Sequence, residues 1–295
     1  MAAESNVWIA SDGVTQLSLN GTSINGLLAL DGRQGIQFPP ISIQDQRIPL
    51  QPGSIPRWID YPPRPVLLSM LIKTPDEISF TQQMRNMAVW FDTPAGSPGI
   101  YRRVAADGST RDLFVYYQAG LEGNDDMGSG NRGGGWMRTV LQLYATDPFW
   151  YDPSYTTQTF VPSGAAPALL PKLIPILLGF GGILSGFSVI NSGDYEAWPI
   201  WTIHGPGVNP VLTNSSTGKV STFTITLGSS DVLVIDTRPL VKSITLNGTV
   251  NWSIFSPSSS MWSFAKGLNS CTLTMTGTGA GSQILLQYKQ RYKVA

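Results

Sequence analysis

The sequence is poor in the side chains on which redox, metal and most hydrolytic chemistry depend. One cysteine, Cys271, and one histidine, His204, stand among 295 residues. A lone thiol closes no internal disulfide, and one residue of each kind cannot build a Cys/His zinc site of ordinary spacing. Charge is scarce as well: 13% of the chain is charged, about half the ~25% of a typical globular protein. The 19 basic residues balance 19 acidic ones to a formal net charge of zero. A nucleic-acid or anionic-membrane partner draws its affinity from a basic excess, so such partners are disfavoured except at local patches. The start, Met1-Ala-Ala-Glu-Ser-Asn, lacks the basic and apolar regions of a secretory leader, so synthesis in a cytoplasm is expected. The Asn-x-Ser/Thr triplets at Asn20, Asn214, Asn247 and Asn251 then read as turn chemistry. The apolar, uncharged stretch 173–190 contains Pro175 and four glycines and has only Lys172 as a basic flank. It reads as a covered connector rather than a stable membrane span.

What is present is apolar and turn-rich. Apolar residues make up 42%, with 31 glycines and 22 prolines, which suits two domains with ordinary cores and many turns. A weakly charged surface without net charge favours association. From Val7 onward, short runs of β-formers alternate with turn dipeptides. Asp12-Gly13 separates Val7–Ala10 from Val14–Leu19, and Asp107-Gly108 separates Tyr101–Ala105 from Arg111–Gln118. Prolines crowd 38–65 and predict an ordered, extended arm or loop without a regular element across most of it, whose apolar side chains something must cover. One helix is expected over 75–91. Thr74 is its cap, Pro75 its first residue and Glu77 completes a capping box, with Phe80, Met84, Met87, Ala88 and Phe91 on one face. Such a lone helix packs on a sheet. The glycine-rich stretch 120–135 reads as a flexible, partner-contacting loop, with Gly120, Asp125, Asp126, Arg132 and Gly135 as its marked residues.

The second half predicts strands at Ala197–Ile203, Val220–Leu227, Val232–Ile235, Ser243–Leu246, Val250–Phe255, Cys271–Met275 and Ile284–Tyr288, without helices. That pattern is a β-sandwich. Asn247-Gly248 is its strongest hairpin signal, since both central residues of a type I′ turn need positive φ. The expected organisation is thus an N-terminal domain over 1–153, an apolar Pro/Gly-rich connector over 154–187 and a C-terminal sandwich over 188–295.

Chemistry has few places to live. Gly128-Ser-Gly130-Asn-Arg-Gly133 matches a dinucleotide pattern, but the strand-forming Trp136–Tyr144 follows it where a helix is required. His204 stands at a strand end with no serine elbow in the chain, and Cys271 alternates like a small core residue. Asp125-Asp126 lack EF-hand spacing, and Asp231 and Asp236 show no glycosidase signature. No catalytic residue, cofactor site or metal site is assigned.

The order of features carries more than any one of them. Ala145-Thr-Asp-Pro-Phe-Trp-Tyr-Asp152 closes the β-rich half; then come Asn191-Ser-Gly-Asp194, Trp198-Pro-Ile-Trp-Thr-Ile-His-Gly205, Asn209-Pro210, Asn214 with Gly218, and Asp231-Val-Leu-Val-Ile-Asp-Thr-Arg238 before Asn247-Gly248. This series resembles the distal tail proteins of long-tailed bacteriophages, the siphovirus tail protein family. The resemblance implies a mainly β chain: an N-terminal sandwich or barrel-like belt domain with one helix, and a galectin-like C-terminal β-sandwich. It implies a structural virion protein and no enzyme, closing into a ring, typically of six copies, at the end of the tail. The implied partners are copies of itself, the tail tube protein, the tail-tip hub protein and side-fibre or receptor-binding proteins, with DNA passing through the bore without specific binding. Trp58, Tyr61, Phe149 and Trp150 are candidate anchors between subunits or domains, with core packing as the competing explanation. The rival function is a carbohydrate-binding module in which Trp252 and Trp262 stack a sugar ring.

Overall fold

A computed structural model describes residues 4–19, 27–29, 32–50, 52–122, 130–161, 183–279 and 281–295. The chain divides into two compact units, Met1–Pro153 with Tyr292–Ala295, and Ser154–Arg291.

The first unit is built on an antiparallel sheet of ten strands. Its main path runs Gln16–Ser18, Ser5–Ile9, Gly99–Val104, Thr110–Ala119, Trp136–Ala145, Arg64–Lys73 and Leu27–Ala29. The strand Arg64–Lys73 shows why the sheet is two-faced: Val66, Leu68, Met70 and Ile72 alternate inward and are wholly or almost wholly buried, while Pro65 and Lys73 point out. They join Trp8, Tyr101, Leu113, Val115, Leu141, Leu143 and Trp150 in one core, on which the helix Glu77–Trp90 sets Phe80 and Met87. The helix begins later than the expected 75–91. Asp76, not Thr74, is the cap, its Oδ1 accepting the Ser79 N–H at 2.8 Å, and the Thr74 hydroxyl donates to the carbonyls of Asp76 and Gly135. A carboxylate is a strong cap for the exposed N–H groups of a first turn. Phe80, Gln83, Met87 and Phe91 are buried and Met84 packs against the same core, while Ala88 points outward.

The proline-rich stretch corrects the expectation of an irregular arm. Ser42–Arg47 and Ser54–Asp60 form a separate two-stranded antiparallel sheet. Pro56 fits because the register shifts beside it, from Gln44 opposite Trp58 to Asp45 opposite Pro56, leaving Arg57 as the extra residue. Each strand of a two-stranded sheet also has an open edge, where a missing N–H costs no ladder bond.

The second unit is a sandwich. A six-stranded sheet runs Thr156–Phe160, Gln283–Tyr288, Ile200–His204, Val232–Asp236, Ser243–Leu246 and Thr249–Val250. A five-stranded sheet runs Ile183–Asn191, Gly267–Thr276, Gly207–Asn214 and Lys219–Thr222, with Thr226–Leu227 beside Gly207 and Val208. Inward residues of both, among them Trp201, Ile203, Leu233 and Ile284 from one and Leu212, Cys271 and Leu273 from the other, form a single core. Asn247 and Gly248 take φ of 50° and 80°, the two positive values a type I′ turn requires.

Three element or unit boundaries differ from expectation. The expected connector 154–187 is strand at both described ends, Thr156–Phe160 against Gln283–Tyr288 and Ile183–Asn191 against Gly267–Thr276; its middle lies outside the described residues. The expected strand Val250–Phe255 stops at Val250, because the Asn251 carboxamide oxygen accepts from the Ser253 N–H and hydroxyl and turns the chain. Residues 292–295, expected in the C-terminal domain, belong to the first unit. There the Tyr292 ring lies under the Arg111 guanidinium at 3.7 Å.

Candidate assembly surface

The polar groups with chemical potential are occupied in holding the fold. Asp231 Oδ2 accepts the Gly228 N–H at 2.7 Å and Oδ1 accepts from the Asn247 side chain at 2.9 Å, contacts that hold its carboxyl below the usual range, the Asn247 bond first. Asp236 is paired with Arg238 at 2.6 Å. Cys271 is buried, and burial pushes its thiol up to about 12, far from the thiolate a nucleophile needs. His204 lies opposite Val232 and Gln283 at a strand end. Among the described residues no three His, Cys, Asp or Glu side chains gather as a metal site, and no helix is long and apolar enough to cross a membrane.

What the first unit presents instead is an apolar hairpin. All six residues of Ser42–Arg47 and all seven of Ser54–Asp60 are exposed. Directly paired residues share a face, so Trp58 with Gln44 lies on one side and Ile59 with Ile43 on the other. Ile43, Ile48, Leu50, Ile55, Trp58 and Ile59 are all exposed, Trp58 by 63%. Fully burying one such side chain contributes about 1.5–3 kcal/mol. Covering the half-exposed set is therefore worth on the order of 5–10 kcal/mol gross, similar to the roughly 4–15 kcal/mol that association costs. An isolated two-stranded hairpin is marginal in water, so both the strands and their apolar side chains gain from a cover.

The root of this hairpin is fixed. Tyr61 meets Phe149 edge to face at 5.3 Å, and Lys293 places its ammonium 5.5 Å from the Phe38 ring and 5.1 Å from the Tyr61 ring. Next to it, Arg64 is fully buried. Its Nη1 donates to the carbonyls of Gly35, Ile36 and Gln37 and its Nη2 to that of Lys293 at 3.1 Å. Desolvation pushes the guanidinium down to about 10, opposed by Asp147.

The four candidate anchors therefore separate. Trp58 is the outward one. Tyr61 and Phe149 form a pair at the hairpin's root. Trp150 takes the core-packing alternative: fully buried, its indole N–H donating to the Ile36 carbonyl at 3.2 Å, it is a core residue of the first unit. Phe149, only 3% exposed, likewise cannot present a ring to another chain. Of the sugar-stacking pair, Trp252 is 46% exposed but Trp262 only 2%. Trp262 packs edge-on to Trp201 and Phe264 and donates to the Leu212 carbonyl, so the two do not form a platform. A tryptophan's neighbours across the sandwich are not written in its local sequence, which is why the pair looked equivalent.

The glycine-rich segment is tied down at its described ends. Gly120 has φ of 113°, and a Cβ there would meet the Val140 carbonyl oxygen at 2.1 Å. Gly135 accepts the Thr74 N–H at 2.7 Å. Arg132 stands over the Phe80 ring at 4.6 Å and 3.9 Å from Glu77, linking this segment to the helix. Asp125 and Asp126 lie outside the described residues. Sequence reasoning missed Arg64 and residues 292–295; a fully buried arginine among carbonyls has no local signature.

Residues 192–292 match the family model of the siphovirus-type tail component, C-terminal domain. The matched residues make up most of the second unit. Among solved structures, the whole chain is similar to the Dit protein of phage SPP1, described as a paradigm of the hub adsorption apparatus in phages infecting Gram-positive bacteria, at 12% identity and TM-score 0.63, covering 98% of this chain and 99% of that one. It is also similar to chains of the phage P2 baseplate in its activated conformation, with Ca at 8% identity and with Sr at 10%, both at TM-score 0.56 with full coverage of both chains. At these identities the likeness is one of fold, and among the described residues that fold is mainly β with a single helix. No curated protein matches.

Proposed function

We propose that the chain is a structural subunit at the distal end of a phage tail, made in the host cytoplasm and carried in the virion. Copies close into a hexameric ring in which the first unit is the belt and the second a galectin-like sandwich. The ring joins the tail tube protein to the tail-tip hub protein and is a platform for side-fibre or receptor-binding proteins. DNA passes through its bore without specific binding, and the chain performs no bond chemistry. The observation that carries this reading is the fold likeness to a distal tail protein over nearly the whole of both chains, joined to the family match of residues 192–292. The physical side agrees with it. A chain with 13% charged residues and no net charge, exposing an apolar hairpin, gains by repeating one moderate contact around a closed ring.

Native mass spectrometry and negative-stain imaging of the purified chain test this. A six-fold ring is the expected species; a chain that stays single in an assembled tail, or that turns over a substrate such as peptidoglycan, ends the proposal. Trp252 alone keeps the carbohydrate reading open, and a glycan array probed with the full chain and with Trp252→Ala decides it.

A further inference from the structure

We infer that the first unit carries a binding site for an alkylammonium group, in the cavity between the end of the helix Glu77–Trp90 and the end of the strand Thr110–Ala119. The cavity lies wholly within that unit and needs no second copy. Its volume is about 570 Å³, within the roughly 300–1,000 Å³ of small-ligand sites. Phe91 and Leu121 line it with hydrocarbon, Asp92, Thr93 and Glu122 with oxygen, and Tyr117 with both.

The packing makes these walls firm. Phe91 is buried, stacks on Trp8 at 4.7 Å and lies 6.3 Å from the Tyr117 ring. The Tyr117 N–H donates to the Thr93 hydroxyl at 2.9 Å, which ties the strand to the chain leaving the helix. Past the strand, the backbone turns at Gly120 and brings Glu122 back onto it. Glu122 Oε1 accepts the Tyr117 hydroxyl at 3.0 Å, Oε2 accepts the Gly120 N–H at 2.6 Å, and the Tyr117 oxygen accepts the Leu121 N–H at 3.0 Å. The carboxylate is therefore placed before a ligand arrives, which lowers the ordering cost of binding. The N–H groups of Glu122 itself and of Gly120, with the Tyr117 hydroxyl, hold this carboxyl below its ordinary 4.5, so it is charged at neutral pH.

Charge then selects the ligand. Asp92 holds the fold with its backbone: its N–H donates to the Val89 carbonyl at 3.3 Å and its carbonyl accepts the Ser11 hydroxyl at 2.8 Å. Among the described residues no ion pair reaches Asp92 or Glu122, the exposed Arg85 of the same helix included. The last turn of the helix has no basic residue, so its negative end adds to the two carboxylates. Phosphate and sulfate are repelled. Calcium takes six to eight oxygens, and among the described residues no three His, Cys, Asp or Glu side chains gather to supply them. An ammonium on a hydrocarbon stem uses both kinds of wall, its head on the carboxylates and its stem along Leu121 and the Tyr117 ring. Such a group comes from a free amine or from the lysine of another chain.

Saturation-transfer NMR on the full chain tests the site, with pentylammonium as probe and 1-pentanol as its neutral control. Transfer is expected to pentylammonium at concentrations where pentanol receives none. Asp92→Asn and Glu122→Gln, each with the circular dichroism of wild type, are each expected to weaken binding about fivefold, the upper end for an exposed ion pair. Displacement of pentylammonium by Nα-acetyl-lysine methylamide assigns the site to a protein lysine, and failure of that displacement assigns it to a free amine. Equal transfer to pentanol, no transfer to either probe, or binding that neither variant weakens overturns the inference. Displacement by calcium ion more readily than by either amine overturns the ligand class.

Discussion

Deleting Tyr292–Ala295 should unfold the first unit far more than the second. The deletion takes the Lys293 carbonyl from the Arg64 Nη2, a hydrogen bond to a buried charged donor worth about 1.5–3 kcal/mol. It takes the Tyr292 ring from under Arg111 at 3.7 Å, about 0.5–2 kcal/mol for a partly desolvated cation–π contact. Tyr292 and Ala295 also leave the edge of the first core, and the Ala295 carbonyl leaves Arg103 Nη1 at 3.3 Å; together these add about 1–2 kcal/mol. Allowing for overlap, the loss is about 4 kcal/mol, a large part of the 5–15 kcal/mol that stabilises a typical domain. Hydrogen exchange read by mass spectrometry resolves the outcome. Protection should fall by roughly a thousandfold across Arg64–Lys73, Thr110–Ala119 and Trp136–Ala145, and hold across Ile200–His204, Val232–Asp236 and Gln283–Tyr288. A loss below about 1 kcal/mol in the first three, or an equal loss in all six, would refute the role given to the segment.

Trp262→Ala should cost the second unit about 3–5 kcal/mol in urea unfolding, and Trp252→Ala no more than about 0.5 kcal/mol; equal costs would contradict their burial. The Cys271 thiol, pushed up to about 12 by burial from an ordinary 9.0, should resist a thiol reagent at pH 8 until the protein unfolds, and rapid labelling of the native chain would count against it. Tyr101, buried and likewise pushed up to about 12 from 10.0, adds a pH dependence of known sign. The unfolded state releases both protons first, so stability should decline as pH rises from about 9 towards 12, and a flat alkaline profile would contradict this. Asp76, held below its ordinary 3.8 by the Ser79 N–H and hydroxyl, contributes above pH 3.8 and loses that contribution as pH falls through its lower folded value. Far-ultraviolet circular dichroism should show a small acid loss of helix that Asp76→Asn, which still accepts from Ser79, lacks.

The parts legible in the sequence were those written in adjacent residues. Asp12-Gly13, Asp107-Gly108 and Asn247-Gly248 marked turns because positive φ and short side-chain acceptors act within four residues. The helix was legible from its apolar spacing, but its start was one carboxylate away, since Thr74 and Asp76 both satisfy the local rule and only Asp76 has Ser79 in reach. The hairpin at 42–60 was hidden by its prolines, whose cost vanishes at a bulge on an open edge. The strand at 156–160 and the first part of the one at 183–191 were hidden because their partners lie far along the chain, whereas Phe187–Asn191 reads as strand from its own residues. The candidate surface was half legible: Trp58 and Trp150 are equally aromatic, and nothing local tells that one faces water and the other lies within a core. Arg64 escaped because its acceptors come from residues 35–37 and 293.

The first unit is made of two pieces of chain with the whole of 154–291 between them. During translation the ribosome therefore releases most of that unit's strands early, yet the residues that shield Arg64 and steady the hairpin emerge only after the entire second unit has been synthesised. A nascent chain carries an incomplete first unit for all that time. A chain stalled or truncated upstream of residue 292 would carry the hairpin on an unsupported base.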